Sequence, residues 1–129
     1  MKFKKWRIFD EEKFSQNINN IIVAEINNTV VGAILYLIKE KLENSYTNYR
    51  KVLFIDALVV DVNHRKNGIG KILLQEMEKI AKENNCSSIE LNVWAFNDEA
   101  IKFYEKFGMS IKTMILEKKL NKHEKILTQ

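Results

Sequence analysis

The 129-residue chain is 46% hydrophobic and 29% charged, which fits one ordinary globular domain spanning residues 1–129. No apolar run approaches the roughly 20 residues of a membrane span, the N-terminal MKFKKWRIFDEEKF lacks the apolar core of a signal peptide, and the lone Cys86 excludes a disulfide framework or Cys-based metal site within one chain. A reducing, cytoplasmic setting is the simplest reading; the 21 Lys and Arg against 17 Asp and Glu, a net +4, suit an anionic cofactor or acidic substrate, with most lysines decorating the surface.

In chain order, EEKFSQNI predicts a short helix capped by Asp10. IIVAEINNTVVGAILYLI follows, two β-branched runs around Asn27–Asn28, a pair that tolerates left-handed backbone and so signals a hairpin. Gly32 inside the second run marks a bulge or a close approach. After the polar KEKLENSYTNYRK comes VLFIDALVV, residues 52–60, a Val/Leu/Ile run broken only by Asp56 and read as a central strand.

Ile69, Ile72, Leu73, Leu74, Met77, Ile80 and Ala81 recur at helical spacing, and Asn84–Asn85 ends that helix. SIELNVWAF predicts a strand over 88–94, with Trp94 in the core. NDEAIKFYEKFG predicts a helix capped by Asn97 or Asp98 and stopped by Gly108. MSIKTMILEKKL predicts a last strand, and NKHEKILTQ a frayed tail. The strand–helix–strand unit implies a parallel pair with a right-handed crossover, the hairpin makes the sheet mixed, and the class is α/β.

Between the central strand and its helix lies NHRKNGIGK, residues 63–71, which holds two of only four glycines in the chain. A P-loop needs Gly where Arg65 stands and Ser or Thr where Ile72 stands; a dinucleotide fingerprint needs Gly where Leu73 stands. What remains is Arg65-x-x-Gly68-x-Gly70 opening a helix. Unpartnered N–H groups, the helix dipole and the charges of Arg65, Lys66 and Lys71 make this an anion site fit for a diphosphate. The plainer alternative is a tight strand-to-helix turn with basic decoration.

VVDVNHRKNGIGKILL, together with NVWAFNDEAIKFYEKFGM further on, resembles the two signatures of the GNAT superfamily of acyl-CoA-dependent N-acetyltransferases. The likeness runs from about residue 21 to Leu120. It implies a mixed sheet flanked by helices, with the central parallel strands splayed around the cofactor. By this resemblance, backbone groups of Leu58, Val59 and Val60 hold the pantetheine arm of acetyl-CoA, the cosubstrate. An N–H near Leu58 or Val59 polarises the thioester carbonyl. Arg65, Lys66, Asn67, Gly68, Ile69, Gly70 and Lys71 hold the diphosphate, and Asn97 lies beside the pantetheine.

Tyr104 matches the tyrosine taken as general acid for the leaving thiolate. It also falls on its helix's apolar stripe, where core packing is the plain alternative. Asp56 is the candidate general base, on the expectation that burial in an apolar strand raises its pKa. Its alternative is a structural carboxylate bonded to Arg50 or nearby backbone. His64 ranks below it as a bystander. Phe96 lines an acceptor pocket or caps the core, and Glu40, Glu43 and Tyr46 lie where an acceptor could pass.

The chain departs from the family at its start. Only about twenty residues precede IIVAEI, so the usual first strand and most of the first helix are expected to be missing. That would leave a sheet edge bare and favour a homodimer, with or without exchanged terminal segments, as its cover. Two readings follow. One is an N-acetyltransferase acting on a primary amine of a small molecule or peptide; the other is a non-catalytic acyl-CoA-binding or interaction module. Scattered lysines without a recognised motif give no specific nucleic-acid reading, and no membrane partner is expected.

Overall fold

A computed structural model of the chain describes residues 2–8, 19–42 and 49–121. The predicted helix over EEKFSQNI, the tail, and the candidates Glu43 and Tyr46 lie outside the described residues. The chain forms two compact units, residues 1–94 and 95–129.

The first unit is a five-stranded sheet in the order β1-β2-β3-β4-β5, formed by Lys2–Ile8, Asn19–Ile26, Thr29–Leu42, Tyr49–Val60 and Ser88–Leu91. Neighbours from β1 to β4 run antiparallel, and β4 and β5 run parallel. Helix α1, Ile69–Glu83, is the crossover between that parallel pair. The expected lack of a first strand is corrected here. Lys2–Ile8 pairs with the whole of β2, from Lys2 opposite Glu25 to Ile8 opposite Asn19. KFKKWRI carries no element predicted from its sequence, but its mixture of charged and apolar residues suits an edge strand. The β2 edge is therefore covered within the chain.

The β2–β3 turn is the expected hairpin. Asn27 and Asn28 both have positive φ, 51° and 65°, the pair of left-handed residues that a two-residue turn of matching twist requires. Next to it the register slips by one: Ala24 faces Gly32 while Glu25 faces Val30, so Val31 is the extra residue. Gly32 also supplies a close approach, because a Cβ there would lie 3.0 Å from Ile69 Cγ2 and 3.2 Å from Leu73 Cδ1. The face of the sheet that carries Gly32 is therefore the one α1 covers.

The stripe Ile69, Leu73, Leu74, Met77, Ile80 and Ala81 is buried, as its spacing predicts. Against it lie Ile22, Ile34, Tyr36, Leu53 and Ile55, all buried and on the same face by register. Burial of each Leu or Met in this layer contributes about 1.5–3 kcal/mol. The helix ends in a Schellman motif: Asn85 is left-handed at φ 59°, its N–H bonds Lys82 O, and Cys86 N–H bonds Ala81 O.

The second unit contains α2, Asp98–Lys106. It closes the same way on Gly108 at φ 102°, with Gly108 N–H on Glu105 O and Met109 N–H on Tyr104 O. The predicted last strand is corrected: residues 109–121 carry no regular structure, and Ile111, Met114, Ile115, Leu116 and Leu120 are exposed. β-branched and apolar composition does not make a strand without a ladder partner. Trp94 is also corrected from core to surface, at 74% exposure, because β5 ends at Leu91 and the chain leaves the sheet before reaching it. Among the described residues no helix is long and apolar enough to cross a membrane.

Candidate functional site

The site in the first unit begins where β4 outruns β5. Parallel pairing runs from Val52 opposite Ser88 to Ile55 opposite Leu91 and stops. β4 continues to Val60, paired among the described residues only with β3. At the point of parting sits a bulge: Tyr36 faces Ile55, Leu35 faces Ala57, and Asp56 is the extra residue.

The bulge changes which backbone groups look outward. Before it, Lys51 O accepts from Ser87 N–H, so Lys51, and by alternation Leu53 and Ile55, turn their backbone groups toward β5. After it, Asp61 N–H bonds Val31 O at 2.8 Å, so Asp61, Val59 and Ala57 face β3. Leu58 and Val60 therefore point their N–H and C=O groups to the side β5 has vacated. Of the three strand residues expected at the cofactor arm, two offer backbone on the open side. Val59 spends its backbone on β3 and exposes its side chain, at 58%.

The expected burial of Asp56 is corrected. Asp56 is exposed, since an extra residue in a ladder is pushed off the pleat. The alternative partner Arg50 donates instead to Ser88 Oγ at 3.0 Å and Glu90 Oε2 at 3.1 Å across the parallel pair. Glu40 is exposed on β3 and accepts from the Tyr49 hydroxyl, which raises the Tyr49 pKa.

Past β4 the chain makes one 3-10 turn, Val62–His64, and enters the glycine loop. Lys66 is left-handed at φ 69°, and Gly68, at φ 79°, is the residue before the helix. A Cβ on Gly68 would meet nothing within 4 Å, so glycine is needed there for its backbone conformation and the space above it is open. The first helical bond is Ile72 N–H to Gly68 O, which leaves the N–H groups of Ile69, Gly70 and Lys71 at the helix mouth. Gly68 provides no side-chain cap. Arg65, Lys66, Asn67 and Lys71 are exposed around this mouth, whereas Ile69, 2% exposed, can offer only its backbone.

Two contacts here carry no sequence signal. Arg65 Nε donates to Val60 O at 3.3 Å, and His64 Nδ1 lies 2.8 Å from Asp61 Oδ2. The bulge had one signal, a strand-averse Asp in the middle of an apolar run.

In the second unit, Asn97 caps α2: its Oδ1 accepts from Ala100 N–H at 3.2 Å. Its amide nitrogen is the donor it could offer a ligand. Tyr104 is half-buried, edge-on to Phe103 with ring centroids 5.2 Å apart, and burial pushes its phenol above the usual range. Phe96 is exposed. Among the described residues no three His, Cys, Asp or Glu side chains gather to hold a metal ion.

The family model for the acetyltransferase (GNAT) family matches residues 2–109. Among solved structures, a mutant of the BH1408 protein from Bacillus halodurans is 24% identical with a TM-score of 0.76 over 84% of this chain and 69% of that one. A Pyrococcus furiosus protein provisionally described as an acetyl transferase is 30% identical, TM-score 0.70, over 85% and 71%. The aminoglycoside N-acetyltransferase AAC(6')-Iy in complex with CoA is 17% identical, TM-score 0.67, over 84% and 81%, a likeness of fold.

Proposed function

The chain belongs to the GNAT acetyltransferase family, and on that premise we propose that it is an acetyl-CoA-dependent enzyme moving an acetyl group to a primary amine, with residues 1–129 working as one domain in the cytoplasm. The observation that carries this reading is the five-residue overrun of β4 beyond its last pair with β5, leading straight into the glycine loop. An extended, amide-bearing arm fits beside Leu58 and Val60 as an added strand. A diphosphate fits the mouth of α1, where N–H groups, dipole and the charges of Arg65, Lys66 and Lys71 coincide.

In this reading the amine nitrogen attacks the thioester carbonyl carbon and the C–S bond breaks. The Leu58 N–H faces the open side and polarises the carbonyl oxygen. By the resemblance of NVWAFNDEAIKFYEKFGM to the family's second signature, the proton for the sulfur is assigned to the Tyr104 phenol. Asp56, beside the bulge where the strands part, receives the proton released by the ammonium, directly or through water, and the second proton that the attacking nitrogen sheds as the amide forms returns through water to the Tyr104 phenolate. Asn97 gives its amide N–H to the arm.

The alternative, a non-catalytic acyl-CoA-binding or interaction module, drew its support from the expected lack of a first strand and of most of a first helix. β1 removes that part of the ground. A homodimer loses the same ground, and its support now is the exposed apolar set Ile111, Ile115 and Leu116; a monomer in sedimentation velocity removes it.

The deciding experiment is calorimetry with acetyl-CoA followed by thiol release over a panel of small amines, polyamines, aminoglycosides and peptides. Binding with turnover on at least one amine supports the enzyme. Binding without turnover across the panel favours the module, and no binding sinks both.

A further inference from the structure

We propose that Arg65 is a latch on the outward edge of β4, closed in the free protein and opened by the diphosphate of the incoming cofactor. The proposal rests on the functional reading above and adds a positioning role that charge alone would not give Arg65.

Val60 is the last residue of β4, and its carbonyl faces the side where β5 has ended. Among the described residues, no strand pairs with the outward carbonyls of β4 beyond the point where β5 ends. The 3-10 turn brings the chain back so that Arg65, five residues on, donates Nε–H to the Val60 oxygen. An amide-bearing arm laid along β4 needs that same oxygen, since Leu58 and Val60 are the only two β4 residues past the bulge that turn their backbone outward. The free protein therefore holds a side chain on an acceptor that the cofactor would use.

The bond suits a latch. At 3.3 Å it is long for N–H···O, and Arg65 is exposed, so release is easy. The loop that follows offers the guanidinium a better partner once a diphosphate arrives, because an anionic phosphate adds ion pairing and accepts forked bonds, which the single neutral Val60 carbonyl does not. The two ends of the cofactor then cooperate: the diphosphate draws Arg65 away, and the arm takes Val60. A phosphate-free arm must displace Arg65 with nothing given in return.

The test compares CoA with S-acetyl-pantetheine, which carries the arm and thioester without phosphate, on the wild-type protein and Arg65→Met. Arg65→Met should bind CoA more weakly and S-acetyl-pantetheine about two- to fivefold more tightly, as removal of one competing exposed hydrogen bond implies. A simple phosphate ligand would give the first change without the second. Independently of any ligand, the Val60 carbonyl 13C resonance should move upfield in Arg65→Met, with the melting temperature read in parallel. An unmoved Val60 carbonyl, or acetyl-pantetheine affinity that stays or falls, overturns the latch while leaving the transferase intact. A wild-type protein that binds neither CoA nor S-acetyl-pantetheine removes the functional reading and the latch with it.

Discussion

Gly32 on β3 and Ile69 at the start of α1 are in direct contact: a Cβ on the glycine would sit 3.0 Å from the isoleucine's Cγ2. Leu73 and the Val59 carbonyl close the same spot at 3.2 and 3.3 Å. The first turn of α1, which presents the N–H groups of the loop, is therefore seated on a strand position that has no room for a side chain. Gly32→Ala should push the first turn off the sheet by a few tenths of an ångström. Overpacking of this kind costs about 1–3 kcal/mol, read as a lower urea midpoint at unchanged slope. CoA affinity should fall with it, and wild-type stability in Gly32→Ala would mean that α1 is not seated as described.

Gly68 calls for glycine for the opposite reason, since the space around it is empty and its φ is 79°. Asn tolerates that conformation and Val does not. Gly68→Asn should fold with near-normal stability, whereas Gly68→Val should lose about 1–2 kcal/mol. Both place a side chain at the mouth of α1, so both should weaken CoA binding. Full CoA affinity in Gly68→Asn would show that the loop does not cradle the diphosphate.

These two glycines mark how far the sequence could be read. Gly32 and Gly68 each interrupt a strong local pattern, and a residue that breaks a pattern carries information about its neighbours. The stripe from Ile69 to Ala81 gave α1, and Asn27–Asn28 gave the hairpin, because turn chemistry and helical period are local. Pairing is not local. VLFIDALVV marks Asp56 as strand-averse, but it does not say that β5 stops opposite Ile55, or that Leu58 and Val60, rather than Val59, turn outward. For the same reason MSIKTMILEKKL reads as a strand although no ladder forms there, and the alternating KFKKWRI passed unread although one does.

Arg50 ties β4 to β5 through Glu90 and Ser88, from the end where their pairing begins. The Arg50–Glu90 pair is partly buried, with side-chain exposures of 23% and 18%. In a double-mutant cycle of Arg50→Met and Glu90→Gln, a coupling of about 0.5–1.5 kcal/mol is expected, above the value of a fully exposed pair. Additive effects in urea unfolding would show that the pair does not hold the two strands together.

Asn97 carries two separable tasks. Its Oδ1 caps α2 by accepting from Ala100 N–H, and its amide nitrogen is the donor it could offer a ligand. Asn97→Asp keeps the acceptor, and its charge favours the helix N-terminus, so the helix should hold. Asn97→Ala should cost about 0.5–2 kcal/mol. If the amide donates to the cofactor arm, both variants lose CoA affinity by a similar factor although only one is destabilised. CoA affinity retained in Asn97→Asp would reduce Asn97 to a cap.

Tyr104 is the sharpest test of the chemistry. Burial raises its pKa, so its phenol stays protonated at neutral pH and further into the alkaline range than a free tyrosine, whose pKa is about 10. A group with a raised folded-state pKa contributes its stabilisation in full below the unfolded value and loses it as pH climbs through the folded one. Stability should therefore decline above about pH 10 less steeply in Tyr104→Phe than in the wild type. The kinetic signature runs in the same window. If the phenol gives its proton to the departing sulfur, wild-type turnover falls as pH passes the raised pKa. Tyr104→Phe should be slower by a factor on the order of 10² at neutral pH, with CoA affinity nearly unchanged and no alkaline limb of that origin. A Tyr104→Phe protein that keeps both the wild-type rate and the wild-type alkaline limb has its acid elsewhere, and the half-buried ring packed edge-on against Phe103 is then a structural residue.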